Sequence, residues 1–170
     1  LNSLNKIDYE AVMALKSRFF KLFYDQSKHD FLKDKTFLSF FEANAHWLRP
    51  YAAFSYLRDL FNTPDFSRWG EYSKPAPELL AVLTDKNSAH FDDIAVHYFI
   101  QYFAFKHFLE AADYSRSKGV VLKGDIPIGI FRNSMDAWLN PHLYHMDCQA
   151  GAPPDDFSNK GQNWRFPTYN

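Results

Sequence analysis

The most constraining feature of this sequence is a junction. From Asp92 to Ser117 the residues Ile94, Tyr98, Gln101, Phe105, Phe108 and Ala112 recur at helical spacing, and Gly119 can take the left-handed backbone that ends a helix. Directly afterwards comes VVLKGDIPIGI, a compact apolar run with β-branched residues, which predicts a buried parallel strand fed by the helix. A helix leading into such a strand is one crossover of an α/β fold. One strand cannot close a sheet, and the sequence holds no internal repeat, low-complexity tract or second strand of equal strength. Either the fold is mostly helical or the chain is a segment of something larger. The aromatic ending NWRFPTYN, with no polar tail, favours the second reading.

Upstream, Asp8 is placed to cap a helix whose apolar residues Val12, Leu15, Phe19, Leu22 and Phe23 fall at helical spacing, and the polar run DQSKHD is expected to close it. A second helix is predicted from Phe37 to about Trp47. Pro50 then suits the first turn of a third, carrying Tyr51, Phe54, Leu57 and Leu60, because proline is tolerated there and pushes its predecessor out of helical geometry. NTPDFSRWGEYSKPAP ends that helix, Pro77 to about Leu83 forms a short one, and TDKNSAH breaks the chain again. The helical part therefore runs over about 8–118, and a strand-and-loop part over about 119–170.

A chain of 170 residues is one domain or part of one. Its 19 Lys+Arg against 20 Asp+Glu, a net charge of -1, give no general attraction to phosphate backbones or anionic membranes, so neither nucleic acid nor a membrane is an expected partner. No run of about 18 apolar residues is present, and LNSLNKIDYE lacks the basic, apolar and small-residue succession of a signal peptide. The single Cys148 excludes an internal disulfide and a cysteine-based zinc site and is compatible with a reducing compartment, so cytoplasm is the expected location. Aromatic residues make up 19% of the chain; core packing accounts for most, and the remainder can stack on sugar rings or bases.

Few residues carry chemistry at recognisable spacing. Asp125 lies at the carboxyl end of the predicted strand, where α/β folds place binding and catalytic groups, and it can equally cap a turn or pair with a nearby lysine. Ser134 can cap a short helix through Trp138 with Asp136 in its first turn, or contact a ligand. His90 and His97, and His142 and His145 near Asp147, show no metal-ligand spacing, so no metal and no cofactor are expected. No nucleophile elbow or phosphate loop occurs, and Cys148 has no recognisable catalytic partner. The stretch GAPPDDFSNKGQNW differs in kind. Asp155, Gln162 and Trp164 put a carboxylate, an amide and a flat ring into one proline-stiffened loop, the groups that grip a hydroxyl-rich ligand at its rim and stack beneath its C–H groups. The alternative is an ordered surface loop that Phe157 and Trp164 merely anchor.

GVVLKGDIPIGIFRNSMDAW followed by AGAPPDDFSNKGQNWRFPTY resembles the amylomaltase, or 4-α-glucanotransferase, family, also called disproportionating enzyme. WLRPYAAFSYLRDLF, FSRWGEY and FIQYFAFKHFLEAADYSRSKG fit the same family, and the wording is most similar to the branch of the plant cytosolic disproportionating enzyme and related bacterial proteins. The resemblance implies an incomplete segment of a (β/α)8 barrel with helical insertions, mostly helical within this chain. It further implies transfer of α-1,4-glucan segments by a retaining double displacement, in which one carboxylate attacks the anomeric carbon and another serves as acid, then base. Matched motif by motif, Asp125 lines the donor-sugar site, while Asp155, Phe157, Gln162 and Trp164 belong to a flexible loop covering the glucan. The chain departs from the family's usual pattern at Asp156, where an aromatic is common, at Arg165, where a glycine follows the tryptophan, and at His107, often a glutamine. The arginine-x-aspartate-histidine segment carrying the family's nucleophile has no equivalent here, nor have the later catalytic carboxylates. The expectation is a partial catalytic domain over 1–170 that supplies substrate-binding residues for maltooligosaccharides, supplies no catalytic residue, and partners with the remainder of its own domain. A non-catalytic carbohydrate-binding helical module is the alternative, and a helical interaction domain using exposed aromatics a third.

Overall fold

The computed structural model describes residues 5–170, so the first four positions of LNSLNKIDYE lie outside the described residues. Helix α1 spans Tyr9–Phe31, and Asp8 caps it by accepting the Ala11 amide at 2.9 Å. The run DQSKHD does not close this helix. It contains neither proline nor glycine, and Lys28 within it pairs with Asp92 while Phe31 just beyond it packs on Phe99, with ring centroids 4.9 Å apart. The face carrying Leu15, Phe19, Leu22 and Phe23 is largely exposed; the buried anchors are Tyr24 and Phe31.

Helix α2 runs unbroken over Lys35–Leu60, which corrects the expected division before Pro50. Proline inside a helix removes the amide that would bond the carbonyl four residues back, a local cost of about 3 kcal/mol. Burial of Leu48, Ala52, Ala53, Phe54 and Leu57 in the shared core outweighs it. Helix α3 spans Pro77–Leu83, the expected range, with proline in its first turn. Helix α4 spans Phe91–Ser117, and Gly119 follows it at φ +72°.

The core is built where α1, α2 and α4 meet. Phe31 touches Phe37, Phe99 and Tyr102, and Phe40 and Phe41 of α2 meet Tyr102 and Tyr98 of α4 at 5.5 Å and 5.0 Å. Most of the contacts are tilted or edge-to-face, which the ring quadrupoles favour. The second half of α4 leaves this core, so Phe105, Phe108 and Leu109 are exposed. A second nucleus forms around Phe54, Trp69 and Trp138, the last from helix α5, Met135–Leu139. The Trp138 indole donates to the Tyr72 carbonyl at 2.9 Å, so a polar atom that burial would otherwise strand is satisfied.

The predicted strand is absent. Residues 120–127 take no regular secondary structure, and Val121 is 91% and Ile126 85% exposed. A strand needs a neighbour to accept its ladder hydrogen bonds, and no strand among the described residues pairs with this segment. Among the described residues the sheet content is four two-residue strands: β1 (Tyr144–His145) pairs antiparallel with β4 (Thr168–Tyr169), and β2 (Gly151–Ala152) with β3 (Gln162–Asn163). The chain is therefore mostly helical with few strands, and no parallel pair occurs among the described residues. No helix among them is long and apolar enough to cross a membrane.

Candidate functional site

The aromatic loop is a tethered hairpin. Ala150 exchanges main-chain bonds with its far arm, donating to the Phe166 carbonyl and accepting from the Trp164 amide, each at 2.9 Å. Those two bonds bracket Arg165, whose backbone is left-handed at φ +65°, so the chain bends between Trp164 and Phe166. Their rings stack with centroids 5.9 Å apart. Gly161 closes the turn at φ +70°, and a Cβ there would stand 2.5 Å from the Ala152 carbonyl oxygen, so only glycine fits. At the tip, Asp155 Oδ1 accepts the amides of Phe157 at 3.0 Å and Ser158 at 2.7 Å, which fixes the turn. Phe157 beside it is 97% exposed, a large ring with nothing covering it.

The hairpin leans on the segment that follows α4. Pro127, Ile128, Ile130 and Phe131 share with Trp164 and Phe166 a hollow of about 570 Å³. A side chain on Gly129 would collide with Phe166, its Cβ 2.3 Å from the ring. Arg132 ties the base of the segment to the hairpin by donating to the carbonyls of Met146 and Cys148, the latter at 2.6 Å. Ser134 accepts the Ala137 amide at 3.3 Å and so caps α5, whose Trp138 fastens the whole region to the helical body.

The six residues singled out in the sequence are thus placed unevenly. Trp164 is 41% exposed at the wall of the hollow, and its indole donates to the Gln162 amide oxygen at 3.0 Å, which leaves the Gln162 nitrogen free of that pair. Asp155 and Phe157 sit at the hairpin tip. Asp125 is two residues short of the hollow, exposed, and accepts its neighbour Ile126's amide at 2.9 Å. It does not stand at the mouth of a buried strand, because that strand is not formed. Phe166 and the Pro127–Phe131 wall were not among the site residues singled out in the sequence, and Arg165 was noted there only as a departure from the family's pattern. Among the described residues no group of three or more His, Cys, Asp or Glu is placed to hold a metal ion. Chemically, the hollow offers stacked rings, an apolar wall and the Arg165 guanidinium, a surface on which a ring-shaped ligand can stack, while Asp125, Asp155 and Gln162 stand outside its lining.

The 4-alpha-glucanotransferase family model matches residues 1–170. Rice (Oryza sativa subsp. japonica) 4-alpha-glucanotransferase DPE2 is 46% identical over 164 residues, covering 96% of this chain and 17% of the rice protein. The 4-alpha-glucanotransferase of Chlamydia trachomatis is 32% identical over 171 residues, covering 100% of this chain and 32% of the bacterial one. Among solved structures, the amylomaltase of Streptococcus agalactiae in complex with acarbose superimposes with a TM-score of 0.78 at 26% identity, over 96% of this chain and 34% of that one. The chain thus spans about a third or less of these relatives' length. A match along every residue, identity well above chance and a shared backbone point the same way: the chain belongs to the 4-alpha-glucanotransferase family.

Proposed function

We propose that this chain is one partial catalytic domain, residues 1–170, of a 4-α-glucanotransferase, and that it supplies substrate-binding residues while the catalytic carboxylates lie elsewhere. In that reading the longer protein moves α-1,4-glucan segments between maltodextrin, starch or glycogen chains. A carboxylate displaces the leaving sugar to form a glycosyl-enzyme, an acid group protonates the departing oxygen, and an acceptor hydroxyl then takes the glycosyl group back off. Residues 120–128 become a barrel strand once paired, and Asp125 then faces the donor sugar. Trp164 and Phe157 cover the glucan, Asp155 and Gln162 bond its hydroxyls, and Ser134 holds the adjoining turn.

The observation that carries this reading is the hollow between residues 127–131 and the stacked Trp164–Phe166 pair. The unpaired apolar run beside it supports the need for a partner segment. The acarbose held by the streptococcal relative supports a saccharide ligand. In the longer protein, Trp164→Ala should lower transfer between maltotriose molecules about 5- to 150-fold, the value of one stacked ring at roughly 1–3 kcal/mol, with little change in Tm. Equal losses of activity and thermal stability contradict the binding role. Glucose and longer maltodextrins released from maltotriose by the isolated chain contradict the absence of catalytic carboxylates.

A further inference from the structure

A second cavity, of about 290 Å³, lies on the helical body between the start of α2, the α3–α4 connection and the first turns of α4, and no residue of the hairpin lines it. Its walls are apolar: Leu32, Phe37, Leu38, Phe41 and Phe91. Its charged lining has one sign. Arg49, Lys33 and Lys86 reach it, and no aspartate or glutamate does. Arg49 and Lys86 make no salt bridge among the described residues, and Lys33 contacts the imidazole of His29 at 2.9 Å. The Arg49 guanidinium carbon sits 5.4 Å from the centre of the Phe41 ring, and Phe41 in turn meets Tyr98 edge-on at 5.0 Å.

Tyr98 is the independent signal. It is 2% exposed, it lines this cavity, and its hydroxyl has no hydrogen-bond partner among the described residues. Leaving a buried hydroxyl unpaired is costly, and polar groups left so in a cavity wall mark where a ligand atom belongs. An apolar pocket with a few convergent polar groups is also the ordinary form of a small-molecule site.

We propose that this cavity binds a small organic anion: a phosphate or carboxylate head held by Arg49, Lys86 and Lys33, joined to an apolar or ring body lying on Phe37, Phe41 and Leu38. The planar guanidinium suits a two-oxygen head, and the Tyr98 hydroxyl donates to the same head or to the first polar atom of the body. A plain inorganic anion gains nothing from the aromatic wall, and a neutral apolar molecule gains nothing from the three cations.

The test is titration calorimetry on the full chain with phenyl phosphate, inorganic phosphate and benzyl alcohol as probes. Phenyl phosphate should bind one per chain and at least tenfold more tightly than either other probe. Arg49→Gln and Lys86→Gln should each weaken it about tenfold, and Tyr98→Phe should weaken it without lowering Tm. Circular dichroism reports the fold of each variant; if one of the exposed-cation variants loses helix, the other decides. Absent binding of phenyl phosphate overturns the proposal. So does equal affinity for inorganic phosphate, which means a surface charge effect only, or for benzyl alcohol, which means apolar adsorption only. Binding unchanged in a folded Arg49→Gln or Lys86→Gln variant overturns it as well.

Discussion

The helical body, α1 to α4, and the segment after Ser117 obey opposite rules within one chain. In the body, apolar faces meet one another: Phe31 has ring neighbours from α2 and α4, and Tyr24 and Thr36 bond across helices to Asp92 and Tyr102. In the later segment, Val121, Ile126 and Phe157 face outward and order comes from hydrogen-bonded turns, the Arg132 tether and one buried tryptophan. The first region is stabilised by burial and the second by local geometry. Helices satisfy their own backbone and need only a face to pack on, whereas an isolated strand must borrow its hydrogen bonds from a neighbour.

That contrast can be broken first at its hinge. Trp138→Ala removes a fully buried ring shared by Phe54 and Trp69, and should destabilise the chain by about 3–5 kcal/mol in denaturant unfolding. If instead only the hairpin loosens, with the helical signal unmoved, α5 is not what joins the regions. A hydrogen-exchange map sharpens the same contrast: amides of 120–128 should exchange far faster than those of α4's first half.

An acid pH series should act on the body through His97. Burial of His97 beneath α1 and α2 pushes its pKa from 6.5 down to about 4, an effect that Arg58 and Lys21 reinforce and that Asp59, 3.7 Å away, and Asp93 oppose. The neutral imidazole is the form the fold accepts. Above pH 6.5 both states carry it; between 6.5 and 4 the unfolded chain gains a proton that the fold resists, so the His97 contribution to stability falls by up to about 3 kcal/mol. At lower pH the loss of charge on Asp92 and Asp34, held below the usual carboxylate range by Lys28 and by Thr36, adds to it. Urea midpoints should show this slope, and His97→Gln should flatten it.

Smaller effects probe the hairpin. Arg165 sits at φ +65°, a backbone glycine adopts without penalty, so Arg165→Gly should raise stability by about 0.5–1 kcal/mol. A loss instead means that the Arg165 side chain holds the hairpin. Phe157→Ala, at a ring with nothing packed on it, should change the unfolding free energy by no more than about 0.5 kcal/mol in urea while affecting any ligand it covers.

Several elements were legible in the residues themselves. Asp8 and Ser134 name their helices' starts because a cap needs only its own side chain and an amide three residues on, and Pro77 and Gly119 mark ends through φ alone. Pro50 misled because the local signal for a helix start is identical to that for a proline tolerated by packing. VVLKGDIPIGI misled in the other direction: its apolar content is real, but burial requires a partner. Of the candidate site, the loop was readable from composition and motif, while the exposure of Phe157, the Phe166 face, the Gly129 contact and the opposing wall at 127–131 depend on how the segments meet.

By itself the sequence determined the family, the helix caps, the aromatic supply for a core and the stiff hairpin, since each follows from adjacent residues. Only the tertiary structure decided that α2 runs through its proline, that Trp138 fastens the second region to the first, and that the apolar run after Gly119 stays unpaired. Those outcomes are set by which surfaces meet, and burial energy belongs to pairs of surfaces rather than to any one stretch of chain.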